Sequence, residues 1–430
     1  MNAVKLEQDQ GSFAVSASEI DRFDIVICGG SFVGLALARA LCAMAPGVYR
    51  IAIVEQRPLL NAGEKTRDGR TVALTASVKA MLEAIGVWPA LAGKAEPILR
   101  IELTDSSLEA PVRPALIGLD AAEAPGGEPT AYIIENADLL PALLASLEGT
   151  PEVRFFAPDS VSSFETREAE VTVSLGSGAA LTAKLLAAAD GRNSKLAEMA
   201  GIRTTVWPSK KVGIVATAGI ERPHHGTARQ HFLPAGPFAI LPMTGNRVSV
   251  VWTEHADVAK RILAQDSEAI LGELSLRFGN ELGELMLISE PKAYPLTMSI
   301  ARDFVRPRFV LIGDAAHGLH WIAGQGLNHG LKDVAALAET LIDASRLGLD
   351  IGSLSVLKRY ERWRRFDSVT SAMSAVAINT LFSNDSMALR MLRSTGLRTV
   401  DRLGQLKTFF MKEAAGQTGE VPKLLKGQPL

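Results

Sequence analysis

A carboxylate, a run of glycines and three histidines fall close together in the C-terminal third of this chain. Phe309-Val-Leu-Ile-Gly-Asp-Ala-Ala-His317 reads as a short strand ending at an acid, Asp314, and Ala323-Gly-Gln-Gly-Leu-Asn-His-Gly330 opens an apolar, helix-forming stretch. Backbone amides at a helix N-terminus stabilise an anion, and a carboxylate accepts hydrogen bonds from hydroxyl groups. A flavin asks for both, because its reduced pyrimidine edge is negative and its ribityl chain carries hydroxyls. Gly313, Asp314, Gly324, Gln325, Gly326, Leu327 and Asn328 are therefore candidate cofactor contacts. The plain alternative is a glycine-rich turn that binds nothing.

Two further segments end in the same way. Asp24-Ile-Val-Ile-Cys28 is an apolar run suited to a parallel sheet, and Gly29-Gly-Ser-Phe-Val-Gly34 follows it before the helical Leu35-Ala-Leu-Ala-Arg-Ala-Leu. Here the first glycine allows the turn, the small residues let the backbone approach a pyrophosphate, and Gly34 lets the helix pack closely on its strand. Gly29, Gly30, Ser31, Phe32, Val33 and Gly34 form this candidate nucleotide turn, with Ser31 at a position where glycine is usual. Arg50-Ile-Ala-Ile-Val-Glu55 reads as the second strand, and Glu55 lies 21 residues beyond Gly34, a spacing that suits a carboxylate on an adenosine ribose. That fingerprint alone does not separate NAD from FAD. Leu185-Leu-Ala-Ala-Ala-Asp-Gly-Arg-Asn-Ser194 adds a third strand, which ends at Asp190. Three such ends are expected to converge at the carboxyl edge of one sheet, where open α/β folds bind their ligands.

The elements needed to hold these ends fit a chain of 430 residues, enough for two or three domains. The expected class is α/β: a Rossmann-like FAD-binding domain with an inserted antiparallel-sheet substrate domain and C-terminal helices. Residues 1–20 read as a polar tail, 21–203 as the first part of the FAD-binding domain, 204–301 as the substrate domain, 302–375 as the second part of the FAD-binding domain, and 376–430 as a C-terminal helical region. Val212-Gly-Ile-Val-Ala-Thr-Ala, Ala228-Arg-Gln-His-Phe-Leu and Arg247-Val-Ser-Val-Val-Trp carry the β-branched or alternating pattern of antiparallel strands. A helix over Asp257–Phe278 is expected to follow them.

Apolar content of 47%, charged content of 21% and a net charge of −2 leave no footprint for nucleic acid. Cys28 and Cys42 are the only cysteines and read as buried thiols, so neither a zinc nor a disulfide framework is expected. No uninterrupted apolar run reaches bilayer length, and the first 20 residues lack a basic-then-apolar leader, so a cytoplasmic location is expected. Residues 357–430 hold 13 Lys and Arg against 6 Asp and Glu, with leucines and phenylalanines interleaved. This basic face either solvates helices packed on the FAD-binding domain or rests on anionic lipid or a partner, peripherally at the inner membrane.

The order of GGSFVG, AADGRNS and IGDAAH resembles the FAD-dependent aromatic-ring hydroxylases of the p-hydroxybenzoate hydroxylase type. His320-Trp-Ile-Ala-Gly-Gln-Gly-Leu-Asn-His-Gly-Leu-Lys-Asp333, Tyr132-Ile-Ile-Glu-Asn136 and Gly236-Pro-Phe-Ala-Ile-Leu-Pro242 are similar to segments of its ubiquinone-biosynthesis branch. The resemblance covers roughly residues 22 to 420 and departs from the family at Trp321 (proline is usual), His329 (an aliphatic residue) and Ala197 (arginine). It implies FAD as cofactor, with Arg70 along the phosphates and Asn136 and Asp190 among its contacts. It implies NADPH or NADH as reductant, O2 as co-substrate, and a polyprenylated phenol hydroxylated through a flavin hydroperoxide. His320 becomes the candidate acceptor of the phenolic proton, since an imidazole titrates near neutrality. Other ubiquinone-biosynthesis proteins are implied as partners. The competing readings are a hydroxylase or epoxidase of another aromatic or lipid, a flavin-bound but catalytically silent member of a biosynthetic complex, and an NAD-dependent dehydrogenase.

Overall fold

Four short apolar runs, Ile25–Cys28, Ile51–Val54, Leu185–Ala188 and Phe309–Leu311, offer water no polar face and lie almost wholly buried. The computed structural model describes residues 21–59, 69–105, 115–123, 127–318, 325–382, 415–416 and 420–430, without the side chains of Asp105, Gln325 and residues 371–382. The four runs sit side by side in a six-stranded sheet, ordered Val305–Arg306, Phe309–Leu311, Leu185–Ala188, Ile25–Cys28, Ile51–Val54, Val153–Phe156. Every pairing in it is parallel except that of Val305–Arg306. Helices Phe32–Met44 and Gln325–Arg346 pack on each other and on this sheet through Leu35, Leu37, Leu41, Leu337 and Leu341. The four-stranded sheet that includes Val161–Thr166 and Val171–Leu175 closes the same core, with Phe164 stacked on Phe309 at 5.3 Å between ring centres.

The second large sheet has eight strands, with helices over one face. Lys211–Ile220, Arg247–His255 and Gly236–Met243 alternate, so that Ile214, Val250, Trp252, Phe238 and Ile240 point to one side, where helix Ser267–Phe278 covers them with Ile270, Leu274 and Phe278. The expected single helix over Asp257–Phe278 is two, Ala256–Leu263 and Ser267–Phe278. Asp266 makes the break by accepting a hydrogen bond from the Ala269 amide at 2.9 Å as an N-cap.

This sheet is also wider than residues 204–301, the span expected for the substrate domain. Strand Arg100–Asp105 pairs in parallel with Thr227–Leu233, and Ile117–Asp120 pairs beyond it. Ile101 and Leu103 alternate inward against Ile117 and Leu119, which completes what would otherwise be an open edge. Strand Thr204–Trp207 instead pairs with Met298–Ala301, which pairs with His317–Gly318. A small sheet of Glu96–Ile98, Ala131–Glu135 and Thr71–Thr75 lies between the large ones. Its Thr71 hydroxyl donates to the Ser249 hydroxyl at 2.8 Å.

Helix Leu354–Phe382 runs along Gln325–Arg346, and Lys423–Lys426 forms a short turn at the C-terminus. Of the basic and apolar stretch read over residues 357–430, residues 383–414 and 417–419 lie outside the described residues. Among the described residues no helix is long and apolar enough to cross a membrane, and no side-chain cluster could hold a metal ion.

Candidate cofactor site

Cys28, Ala188 and Leu311 are in register across three adjacent strands, and Val54 is in register with Cys28 on the other side. The next residues therefore leave the sheet at one edge: Gly29 to Gly34, Glu55, Asp190, and Gly313 with Asp314. The strand ends are tied by backbone hydrogen bonds, Gly29 to Val54 at 2.8 Å, Ala189 to Cys28 at 2.7 Å and Ile312 to Ala188 at 3.0 Å. This is the convergence expected from the three sequence segments.

The turn after Cys28 works by lacking side chains. Gly29 has φ 117°, and a methyl group on it would lie 2.3 Å from the Ala189 carbonyl oxygen. A methyl group on Gly34 would lie 1.9 Å from the Gly29 carbonyl oxygen, so the helix seats on its strand only with glycine there. Ser31 is exposed and its hydroxyl caps nothing, although it occupies the N-cap position of helix Phe32–Met44. Phe32 and Val33 are half-buried against the core. Glu55 reaches back to this turn, accepting from the Gly30 amide at 2.7 Å with one oxygen and from the Arg57 amide at 2.9 Å with the other.

At the neighbouring strand end, Asp190 is half-buried. Burial pushes its carboxyl up, while the Ser194 hydroxyl and the Leu196 amide pull the other way. One of its oxygens, Oδ1, is buried with no hydrogen-bond partner among the described residues. Arg192, two residues on, sends Nη2 to within 3.4 Å of Asp314 Oδ2, and its buried Nε is likewise unpartnered among the described residues. Ala197, where the resemblance leads one to expect arginine, is buried, and its amide donates to the Ser194 hydroxyl at 2.9 Å.

Gly313, at φ 62°, opens the short 3-10 turn that carries Asp314. Its amide donates to Asp333 Oδ2 at 2.8 Å, and the other oxygen of Asp333 accepts from Arg364 Nε at 2.6 Å. His317 Nε2 lies 2.7 Å from Asp333 Oδ2, close in distance but bent away from good hydrogen-bond geometry. Burial alone would raise the Asp333 carboxyl; His317 and Arg364 instead hold it down at about 2. His329 is buried in the same cluster and is pushed down to about 3 by burial and then by His317, Lys332 and Arg364.

Other expected contacts are divided. Asn136 is buried at the first residue of helix Asn136–Ala145, and its amide donates to the Arg70 carbonyl at 3.0 Å. The Arg70 guanidinium lies over the Tyr294 ring, 5.2 Å from its centre. Asn328 commits its side chain to the backbone, donating to the Ala73 carbonyl at 2.7 Å and accepting from the Thr75 amide at 3.0 Å, so it pins strand Thr71–Thr75 to helix Gln325–Arg346. Gln325 and Gly326 start that helix, and Leu327 packs half-buried on the core. Gly324, His320 and Trp321 lie outside the described residues. Sequence reading missed Arg192, Asp333 and Arg364. Asp333 closes the quoted 320–333 segment and Arg192 follows the Asp190-Gly191 pair, but nothing local marks Arg364.

Comparison with known proteins agrees with this geometry. A family model described as FAD binding domain matches residues 22–369. The protein p-nitrophenol 4-monooxygenase PnpA from Pseudomonas putida shares the fold, with a TM-score of 0.77 at 20% identity, covering 94% of this chain and all of that one. The matched family and its relatives make the chain an FAD-dependent monooxygenase. Ubiquinone hydroxylase UbiL of Rhodospirillum rubrum is 40% identical over 95% of this chain and 93% of its own length. The 3-demethoxyubiquinol 3-hydroxylase of Escherichia coli is 32% identical over 91% of this chain and 98% of its own length. The chain belongs to the ubiquinone-biosynthesis branch of the FAD-dependent aromatic-ring hydroxylases.

Proposed function

We propose that this enzyme hydroxylates the aromatic ring of a polyprenylated phenol on the way to ubiquinone, with NADPH or NADH as reductant and O2 as the source of the added oxygen. The observation that carries this reading is the convergence of three strand ends at one sheet edge, in a chain whose relatives are named for ubiquinone hydroxylation.

The residues present fit FAD. Gly29, Gly30 and Gly34 leave the backbone bare where a pyrophosphate must approach, Glu55 stands beside them for the adenosine ribose, and Asp314 offers a half-buried carboxylate for ribityl hydroxyls. The unpartnered Asp190 Oδ1 is a spare acceptor at the same edge. Arg70 serves the phosphates, Asn136 and the first turn of helix Gln325–Arg346 complete the set, and Ser31, Phe32 and Val33 shape the turn. When bound, FAD supplies the electron relay and the activation of O2.

The chain's own part is to position, to hold a proton and to keep water out. His320 takes the phenolic proton as the ring becomes nucleophilic. The apolar contact of Ile98, Ala131 and Ile133 with Ala228, Ala239, Leu241 and Met243 seals the substrate sheet against the small sheet, and that dryness suits oxygen transfer. The basic C-terminal region provides peripheral contact with the membrane that holds a prenylated substrate, and other proteins of the pathway dock nearby.

Profiling of quinone intermediates in a strain deleted for this gene tests the reading. A prenylated phenol lacking one ring hydroxyl should accumulate and should disappear on complementation. Unchanged ubiquinone with no accumulated precursor would remove the substrate assignment and leave the FAD site standing.

A further inference from the structure

We propose that Asp333 is a positioning residue for the cofactor: held by Arg364, it fixes the Gly313 peptide and through it the carboxylate of Asp314. The inference rests on the reading that Asp314 accepts the ribityl hydroxyls. Gly313 stands at φ 62° and is itself buried, so its amide needs a partner inside the protein. The structure gives it one acceptor, Asp333 Oδ2 at 2.8 Å, from the helix Gln325–Arg346 that follows it in the chain. The next residue is Asp314, so the direction in which its carboxylate projects is set by the peptide that Asp333 grips.

Asp333 is fully buried, and the geometry holds it in one orientation. Arg364, also buried, donates Nε to Asp333 at 2.6 Å and Nη1 to Asp367 at 2.6 Å, with Nη2 3.4 Å from the His329 carbonyl. A guanidinium engaged on three sides cannot turn away, and the carboxylate opposite it cannot either. Packing closes the arrangement: a methyl group on Gly330 would lie 2.7 Å from Val33 and 3.3 Å from the Gly313 Cα, so the helix carrying Asp333 presses on both turns of the site. A buried ion pair is weak support for stability, because apolar side chains of the same volume often do as well. What apolar side chains lack is a directed acceptor for the Gly313 amide. The pair is therefore read as a device for aim.

A double-mutant cycle on FAD affinity tests this, using the full chain stripped of FAD and titrated back with it. Asp314→Ala and Asp333→Ala should each raise the Kd for FAD at least fivefold. In the Asp314→Ala background the Asp333→Ala change should add less than twofold, because the aimed group is gone. Hydrogen exchange of the FAD-free protein gives a second readout: the Gly313 amide should exchange at least tenfold faster in Asp333→Ala, with the amides of strand Ile25–Cys28 unchanged. If Asp333→Ala does not fold, Asp333→Asn carries the same cycle, with a loss of at least threefold and the same non-additivity. Equal penalties in both backgrounds would make Asp333 a merely structural residue and overturn the inference. An Asp314→Ala effect without any Asp333 effect would overturn it while leaving the reading of Asp314 intact. An unchanged Kd in Asp314→Ala would overturn both.

Discussion

The turn at Gly29–Gly34 and the turn at Gly313–Asp314 leave the same sheet edge two strands apart, yet they are built from opposite materials. The first is shaped by absence: glycines let one backbone lie against another, with 1.9 Å between the Gly29 carbonyl and the place a Gly34 methyl would take. The second is shaped by a buried carboxylate, a buried guanidinium and two histidines behind it. The first turn thus tolerates little added bulk, and the second tolerates little loss of polar partners.

The largest effect should come from filling the first turn. Gly34→Val should abolish FAD binding, leaving the purified protein colourless, because a branched side chain forces helix Phe32–Met44 off its strand. Such overpacking costs about 1–3 kcal/mol or more. Ser31→Gly in the same turn should leave the Kd for FAD within twofold of the parent, since the Ser31 hydroxyl caps nothing. If the two variants bind alike, the turn does not work by close approach.

A smaller loss is expected at the second turn. Asp314→Ala should weaken FAD binding by about 1–3 kcal/mol through a lost charged hydrogen bond, with the fold intact by circular dichroism. Wild-type affinity in that variant would separate the Gly313–Asp314 turn from the cofactor altogether.

The smallest effect at neutral pH should be that of His329, and it appears only in acid. Its folded value of about 3 lies below the ordinary imidazole value, so between these limits the unfolded chain binds a proton that the folded chain refuses. Stability should therefore rise with pH from about 3 to about 6.5, with a slope reaching about 1.4 kcal/mol per pH unit, and this contribution should level off above. Urea unfolding of His329→Leu between pH 5 and 7 should give a flatter profile than the parent. Parallel profiles would mean that the imidazole is not held neutral by burial.

The same contrast explains what could be read before the structure. Glycine spacing and apolar runs are local, so the strand ends at Cys28, Ala188 and Leu311 and the turn after Cys28 were legible, and the three strands do lie together. Arg364 was not legible, because its partner Asp333 is 31 residues away and pairing across two helices leaves no period in the sequence. The two hydrogen bonds of the Asn328 side chain to Ala73 and Thr75 were not legible either, because they reach a strand more than 250 residues earlier. The width of the eight-stranded sheet was hidden for a similar reason. Ile101 and Leu103 alternate as any strand would, and nothing in that alternation says which sheet they join.

That shared strand has a bearing on how members of this fold can recombine. The eight-stranded sheet takes two of its strands from residues 100–120, ahead of the strands of the Asp190 region in the chain. A gene crossover at residues 203 and 302 would import six strands from one parent and keep two from the other, so the parallel seam between Arg100–Asp105 and Thr227–Leu233 would join strangers. Chimaeras meant to exchange substrate preference should carry residues 96–123 along with 204–301. The inherited unit is a discontinuous one, and its two pieces must travel together.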